Sequence, residues 1–305
     1  MMNTFGREQV PEPGALTVDH VAHFVPDSGA ASAALEALGF TLTPFSEQSH
    51  RLSADGPLVP AGTANRCVMF ERGYLEFLTP TGDTPLADQL RAAIRRYIGV
   101  HLIAFGTSAP DLDHARLQKL AYEPLTPVAL QHPISTENGE ARARFTVVRV
   151  PPGKMPEGRI QFCQHHTPEL VWQTRWIGHR NGAAALSAVL LCVQDPEDAA
   201  QRYGRYAGLP FTSHGGTRPI QTARGTLTFV DPATLTRELG LSAPALPWIA
   251  GYALESRDLD ATRDMLCRAA GSVIDMAGDR FAVVLPQALG GVAIFEKPGS
   301  GPLHL

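Results

Sequence analysis

One short pattern, glycine followed by three residues and a phenylalanine, recurs four times in strand-forming stretches of this chain. The copies are Gly73-Tyr74-Leu75-Glu76-Phe77, Gly158-Arg159-Ile160-Gln161-Phe162, Gly225-Thr226-Leu227-Thr228-Phe229 and Gly291-Val292-Ala293-Ile294-Phe295. Such recurrence marks repeated supersecondary units. Each copy closes a block that opens with an apolar strand, at Val18–Val25, Ile98–Thr107, Ala184–Val193 and Ile249–Glu255, and continues into a helix-favouring stretch. A block reads as strand, helix, then further strands. The fold predicted is α+β, with four βαβββ units pairing into two curled mixed-sheet domains, residues 16–180 and 183–297.

Superposing the blocks stacks their polar residues. His20 falls opposite His101 in the opening strands, and Glu76 falls opposite Gln161 in the closing strands. Blocks three and four carry Ala188, Gly251, Thr228 and Ile294 in those columns, so ligand-type residues are confined to the first half. That leaves the second half the role of scaffold or dimer contact, a homodimer included.

Between these anchors, Phe40–Phe45 reads as a second strand, Ser46–Thr63 as a long loop and Asn65–Phe70 as a third strand. Thr84 followed by Pro85 reads as an N-cap and first turn of a helix. Its arginines, Arg91, Arg95 and Arg96, fit a solvated face. Residues Met1–Ala15 read as a loose leader and those beyond Lys297 as a frayed tail.

The composition narrows the function classes. A hydrophobic content of 44% is that of a globular protein, and a net charge of -4 offers no broad attraction for nucleic acid or an anionic membrane. A small-molecule partner is the default. The four cysteines, Cys67, Cys163, Cys192 and Cys267, form no Cys-x-x-Cys pair and read as reduced thiols. The longest apolar run is too short to span a bilayer and no signal-peptide core is present, so a cytoplasmic address is expected.

Imidazole nitrogen and carboxylate oxygen are ligands for zinc, iron, nickel or manganese. Strand alternation sets His20 on one face with Ala22 and Phe24, and His23 on the other. Glu76 lies in an otherwise apolar strand, where an unpartnered carboxylate is costly and a metal would satisfy it. Of Asn65 and Arg66, consecutive on one strand, one should face inward, to meet substrate. Arg66 is suited to pair with an anion or to reach solvent. His165 follows Gln161 by four residues on the same face, about 13 Å along at strand rise. It is a candidate acid or base at a cavity mouth, or the ligand in place of Gln161. Neither a phosphate-binding glycine loop nor a nucleophile elbow occurs.

Paired strand-helix-strand units with a histidine in two opening strands and a glutamate in a closing strand resemble the vicinal oxygen chelate superfamily. The stretches Gly62-Thr63-Ala64-Asn65-Arg66, Gly73-Tyr74-Leu75-Glu76, Phe162-Cys163-Gln164-His165, Thr167-Pro168-Glu169-Leu170-Val171-Trp172 and Asn181-Gly182-Ala183 are similar to its glyoxalase-like branch. The resemblance implies two units curled around a cavity and a divalent metal held by His20, Glu76 and His101, with Gln161 in the fourth column. Glyoxalase I-like enzymes commonly place a proton-moving glutamate there. Glutamine has no titratable carboxyl, so lactoylglutathione lyase activity is not expected. The expected function is a metal-dependent lyase, isomerase or dioxygenase acting on a small molecule. The alternative is a metal-independent binding or sequestration protein.

Overall fold

The computed structural model describes residues 4–51, 57–137, 139–270 and 273–305. Helix α1 (Thr4–Arg7) precedes a first block of β1 (Thr17–Phe24), α2 (Ser28–Ala37), β2 (Ser46–Arg51), β3 (Leu58–Met69) and β4 (Tyr74–Pro80). Helix α3 (Pro85–Arg96) leads to the second block, β5 (Gly99–Gly106), α4 (Pro110–Lys119), β6 (Val128–Thr136), β7 (Gly139–Arg149) and β8 (Arg159–His165). A connector with α5 (Pro168–Val171) joins the third block, β9 (Ala183–Cys192), α6 (Pro196–Ala207), β10 (Thr217–Gln221) and β11 (Thr226–Val230), followed by α7 (Pro232–Leu239). The last block is β12 (Trp248–Ser256), α8 (Leu259–Ala270), β13 (Ile274–Met276), β14 (Arg280–Val284) and β15 (Val292–Glu296). The class is α+β, as expected. The third block carries two strands after its helix where three were predicted.

Every closing strand runs parallel to its block's opening strand, and the register is the same each time. Tyr74 pairs with His20, Arg159 with Leu102, Thr226 with Ala188 and Val292 with Gly251. The glycine before each pair explains the repeat. A Cβ on Gly73, Gly158, Gly225 or Gly291 would lie 2.9, 2.4, 3.3 or 2.6 Å from the carbonyl oxygen of Asp19, His101, Ser187 or Ala250 respectively. These four carbonyls belong to residues skipped by the antiparallel ladders β1–β5 and β9–β12, so each opening strand carries a bulge at the same place. The glycine supplies the clearance that the bulge needs.

The strands connect into one large curled sheet, its halves joined where Ile249 of β12 pairs with Val100 of β5. Residues from all four blocks, among them Val21, Ile103, Val189 and Tyr252, share one apolar core with helix residues Leu35, Leu117, Tyr203 and Leu266. Thr84 caps α3 through its side chain, which accepts from the Ala87 amide, as the sequence predicts.

Four local expectations are corrected. Phe40–Phe45 is not a strand; the second strand is Ser46–Arg51, within the stretch read as loop, and the third starts at Leu58. Residues 52–56 of that stretch lie outside the described residues, as does Ser272, the first residue of a further strand that the sequence predicts over Ser272–Asp275. The leader is docked: the buried Gln9 amide donates to the Glu71 carbonyl and accepts from the Gly73 amide. The C-terminal segment is likewise anchored, with Leu303 fully buried and its carbonyl accepting from Thr228 Oγ1 at 3.0 Å.

Candidate functional site

The curl of the first two blocks encloses a cavity of about 900 Å³. Its walls come from alternate residues of four strands: His20 on β1, Tyr74, Glu76 and Leu78 on β4, Leu102 on β5, and Arg159, Gln161 and Cys163 on β8. Strands β3 and β7 add Asn65 and Arg149, β2 and β6 contribute Gln48 and Leu130, and Trp176 of the connector reaches it as well. The corresponding hollow of the second half is filled. Ala188, Leu190, Ala253 and Ile294 pack there with Leu303. The cavity therefore lies in the half that keeps polar side chains.

The structure brings His20, Glu76, Gln161 and Asn65 onto this wall. Asn65 Nδ2 donates to Glu76 Oε1 at 2.5 Å, fixing the carboxylate. The Gln161 amide has no hydrogen-bond partner among the described residues, and lines the cavity. Arg66 alternates away from it; Asn65 and Cys67 are the inward neighbours. The arginines of α3 are absent from the wall, which that helix meets through Pro85, Leu86 and Gln89.

His101 is not brought to the wall. The common register puts Leu102, not His101, opposite His20, a slip of one residue. His101 sits in the β5 bulge, where Nε2 donates to the Tyr97 carbonyl at 2.8 Å and the ring stacks between Tyr97 and Phe24. Burial lowers its pKa to about 4, which keeps it neutral. His23 points to the other face, as alternation requires, and meets the Leu289 carbonyl and Tyr252.

His165 lies behind the wall, not at the mouth. Its Nε2 is 3.0 Å from Asp19 Oδ2, and the same oxygen is 2.6 Å from His20 Nδ1. Trp172, fully buried, packs edge-on against His165 and Tyr74 and closes this side. Burial by itself would raise the Asp19 carboxyl, but the charge and hydrogen bonds of His165 and His20 hold it far below the usual carboxylate range. For His165 burial works downward and is overcome by Asp19 and Cys163, which push it up to about 10. Asp19 is thus a carboxylate accepting from two imidazoles. Its bond to Nδ1 leaves His20 Nε2 as the nitrogen that serves the cavity.

Asp19, Cys163 and His165 also bring ligand-type atoms within 4.8 Å of one another, a grouping that could hold a metal ion. The Asp19 Oδ2 already accepts two N–H donors, and burial raises the Cys163 thiol, so an ion there would have to displace protons from the cluster. The wall set is open: one imidazole nitrogen, one carboxylate and one amide oxygen, with an apolar Leu102 in the fourth column. Three protein ligands with room for substrate suit a catalytic metal, and a carboxylate behind the ligating histidine is its usual support.

Sequence reasoning did not single out Asp19, Tyr74, Arg149 or Arg159. Tyr74 stacks on His20 at 4.3 Å between ring centroids. Arg159 is pushed down to about 10, by burial first and by Arg149 second, with Glu76 opposing.

A family model described as a glyoxalase-like domain matches residues 18–207, from β1 through the end of α6 and so past the connector. A comparison with curated protein sequences finds no match. Among solved structures, a hypothetical protein from Staphylococcus aureus is similar over 92% of this chain and 99% of its own, at TM-score 0.62 and 10% identity. A mutant of 4-hydroxymandelate synthase from Streptomyces coelicolor is similar over 96% and 95%, at TM-score 0.53 and 15% identity. The Mn(II)-bound glyoxalase from Novosphingobium aromaticivorans is similar over 92% and 81%, at TM-score 0.51 and 11% identity. At these identities the likeness is one of fold. Among the described residues, no helix is long and apolar enough to cross a membrane.

Proposed function

The chain belongs to the glyoxalase-like domain family of the vicinal oxygen chelate superfamily, and on that premise we propose that it is a small-molecule enzyme working in the cavity of its first two blocks. His20, Glu76 and Gln161 are the residues that would hold a divalent metal, of the zinc, iron, nickel or manganese class. One observation carries the reading: Asp19 fixes His20 through Nδ1, so that Nε2 serves the same cavity as Glu76 and Gln161.

A divalent ion bound there supplies Lewis-acid stabilisation of negative charge developing on a substrate oxygen. The protein's own part is positional and electrostatic. Asn65 orients Glu76, the Asp19 carboxylate and Tyr74 ring orient His20, and Trp172 keeps water from the buried side. Gln161 binds without exchanging a proton, so proton movement falls to Glu76 or to an imidazole. Lyase, isomerase and dioxygenase chemistry all fit this division of labour, and the structural neighbours include a glyoxalase and a mutant 4-hydroxymandelate synthase. In this reading residues 16–180 are the working half and 183–297 the supporting half.

A second reading, metal-independent binding of a small molecule, draws on Leu102, which removes one donor column. Metal analysis of the native chain and of Glu76→Ala after exposure to zinc, nickel, manganese or iron(II) separates the two. The metal reading expects about one equivalent in the native chain and a loss of most of it in the variant. Equal content in both, or none in either, removes it.

A further inference from the structure

We propose that this cavity selects organic anions, with Arg149 and Arg159 receiving a carboxylate or similar oxyanion carried on an apolar body. The inference rests on the cavity being the substrate site. Both arginines line it, flanking Gln161: Arg159 two residues before it on β8, and Arg149 opposite it in the β7–β8 ladder. Neither forms an ion pair with the described residues. Arg149 Nε is buried without a hydrogen-bond partner among the described residues. Among the described residues, Arg159 has only a long contact, 3.4 Å, to the Gln89 amide oxygen and a position over the Phe24 ring.

Two guanidinium groups close enough to repel each other are costly in a half-buried cavity unless something neutralises them. Glu76 is the one carboxylate on the described wall, and Asn65 already engages it. Counting formal charges there, two arginines against one glutamate leave an excess of one positive charge, and a bound divalent ion would enlarge it. The sign does not depend on whether a metal is present. A guanidinium pair recognises planar oxyanions through paired N–H donors. Leu78, Leu102, Leu130, Phe145 and Val147 supply an apolar wall for the remainder of the ligand.

The probes are 1-naphthylacetate and its neutral near-isostere 1-naphthylacetamide, titrated calorimetrically into metal-free whole chain. The acid should bind at least tenfold more tightly than the amide. In Arg149→Gln/Arg159→Gln the acid should fall to the affinity of the amide, whose own binding stays within about twofold. Equal affinities in the native chain, no binding of either probe, or a preference retained in the double variant overturns the proposal. The native comparison decides the matter even if the double variant does not fold. Because no metal is present, failure of the metal reading leaves this result intact, and the converse also holds.

Discussion

Asp19 and His20 are consecutive residues of one strand, yet Asp19 Oδ2 lies 2.6 Å from His20 Nδ1. Regular pleating would send the two side chains to opposite faces. The bulge at Asp19, cleared by Gly73, turns the carboxylate under the imidazole and within 3.0 Å of His165. A fold feature repeated in all four blocks thus becomes, in the first, the support of a histidine that lines the cavity.

The His165–Asp19 pair predicts a particular pH profile of stability. The folded pKa of His165, about 10, is above its unfolded value, so its contribution is complete below about pH 6.5 and is lost as pH rises toward 10. His23, His101 and His179, lowered by burial to about 4, act in the opposite sense and withdraw stability as pH falls from about 6.5 to 4. Asp19, whose folded value is depressed, loses its contribution only in strong acid. Urea unfolding should therefore show a maximum near pH 6.5, with a fall on the order of 3 kcal/mol by pH 10. His165→Gln should be less stable at pH 6 and nearly flat from pH 6.5 to 10. An alkaline fall of the same size in the variant would assign it to other groups.

Gly73 couples backbone to site. It has φ of +75°, and a Cβ there would meet the Asp19 carbonyl at 2.9 Å. Gly73→Ala should cost about 1–3 kcal/mol through strain and contact. It should also weaken metal uptake, since Asp19 must move. Gly153→Ala provides the contrast: φ is +89°, but nothing lies within 4 Å of the added carbon. That variant should show the backbone penalty alone, with metal content unchanged by elemental analysis.

How far the site was legible follows from what a strand pattern encodes. The glycine repeat reveals the opening and closing strands, and the sequence places closing strands at Arg159–His165 and Thr226–Val230 and helices at Pro196–Ala207 and Leu259–Ala270, the bounds observed. Glu76 and Gln161 share a column because they lie at equal distances from their glycines. His101 matches His20 when the opening strands are superposed on Phe24 and Phe105, one position away from the register that the glycines impose. Asp19 was passed over because alternation assigns it to the far face, and the bulge that overrides alternation depends on a cross-strand carbonyl that no local pattern reveals. The leader and tail were read as loose because Gln9 and Leu303 find their partners far away in the chain.

The equivalence of Leu102 and His20 suggests restoring the missing column. Leu102→His would place a second imidazole on the wall with Glu76, Gln161 and His20. Its affinity for zinc or manganese should exceed that of the native chain by tenfold or more in competitive titration with a chelating dye. His101→Phe, by contrast, preserves the stack between Tyr97 and Phe24 and should leave metal affinity unchanged within about twofold. A large loss of metal in His101→Phe would show that the bulge histidine turns inward when an ion binds.

Leu303 tests what fills the second half. Its side chain is fully buried among Ala188, Leu190, Ala253 and Ile294, where the first half keeps its cavity open. Removing a buried leucine costs about 2–5 kcal/mol through lost transfer energy and the space left behind. Leu303→Ala should destabilise the chain within that range in urea unfolding. Binding of 1-naphthylacetate in the first half should be unaffected, because the two hollows are lined by different strands. A variant as stable as the native chain would show that the C-terminal segment contributes nothing to the second core, and that the polar-to-apolar change in its columns is enough to close it.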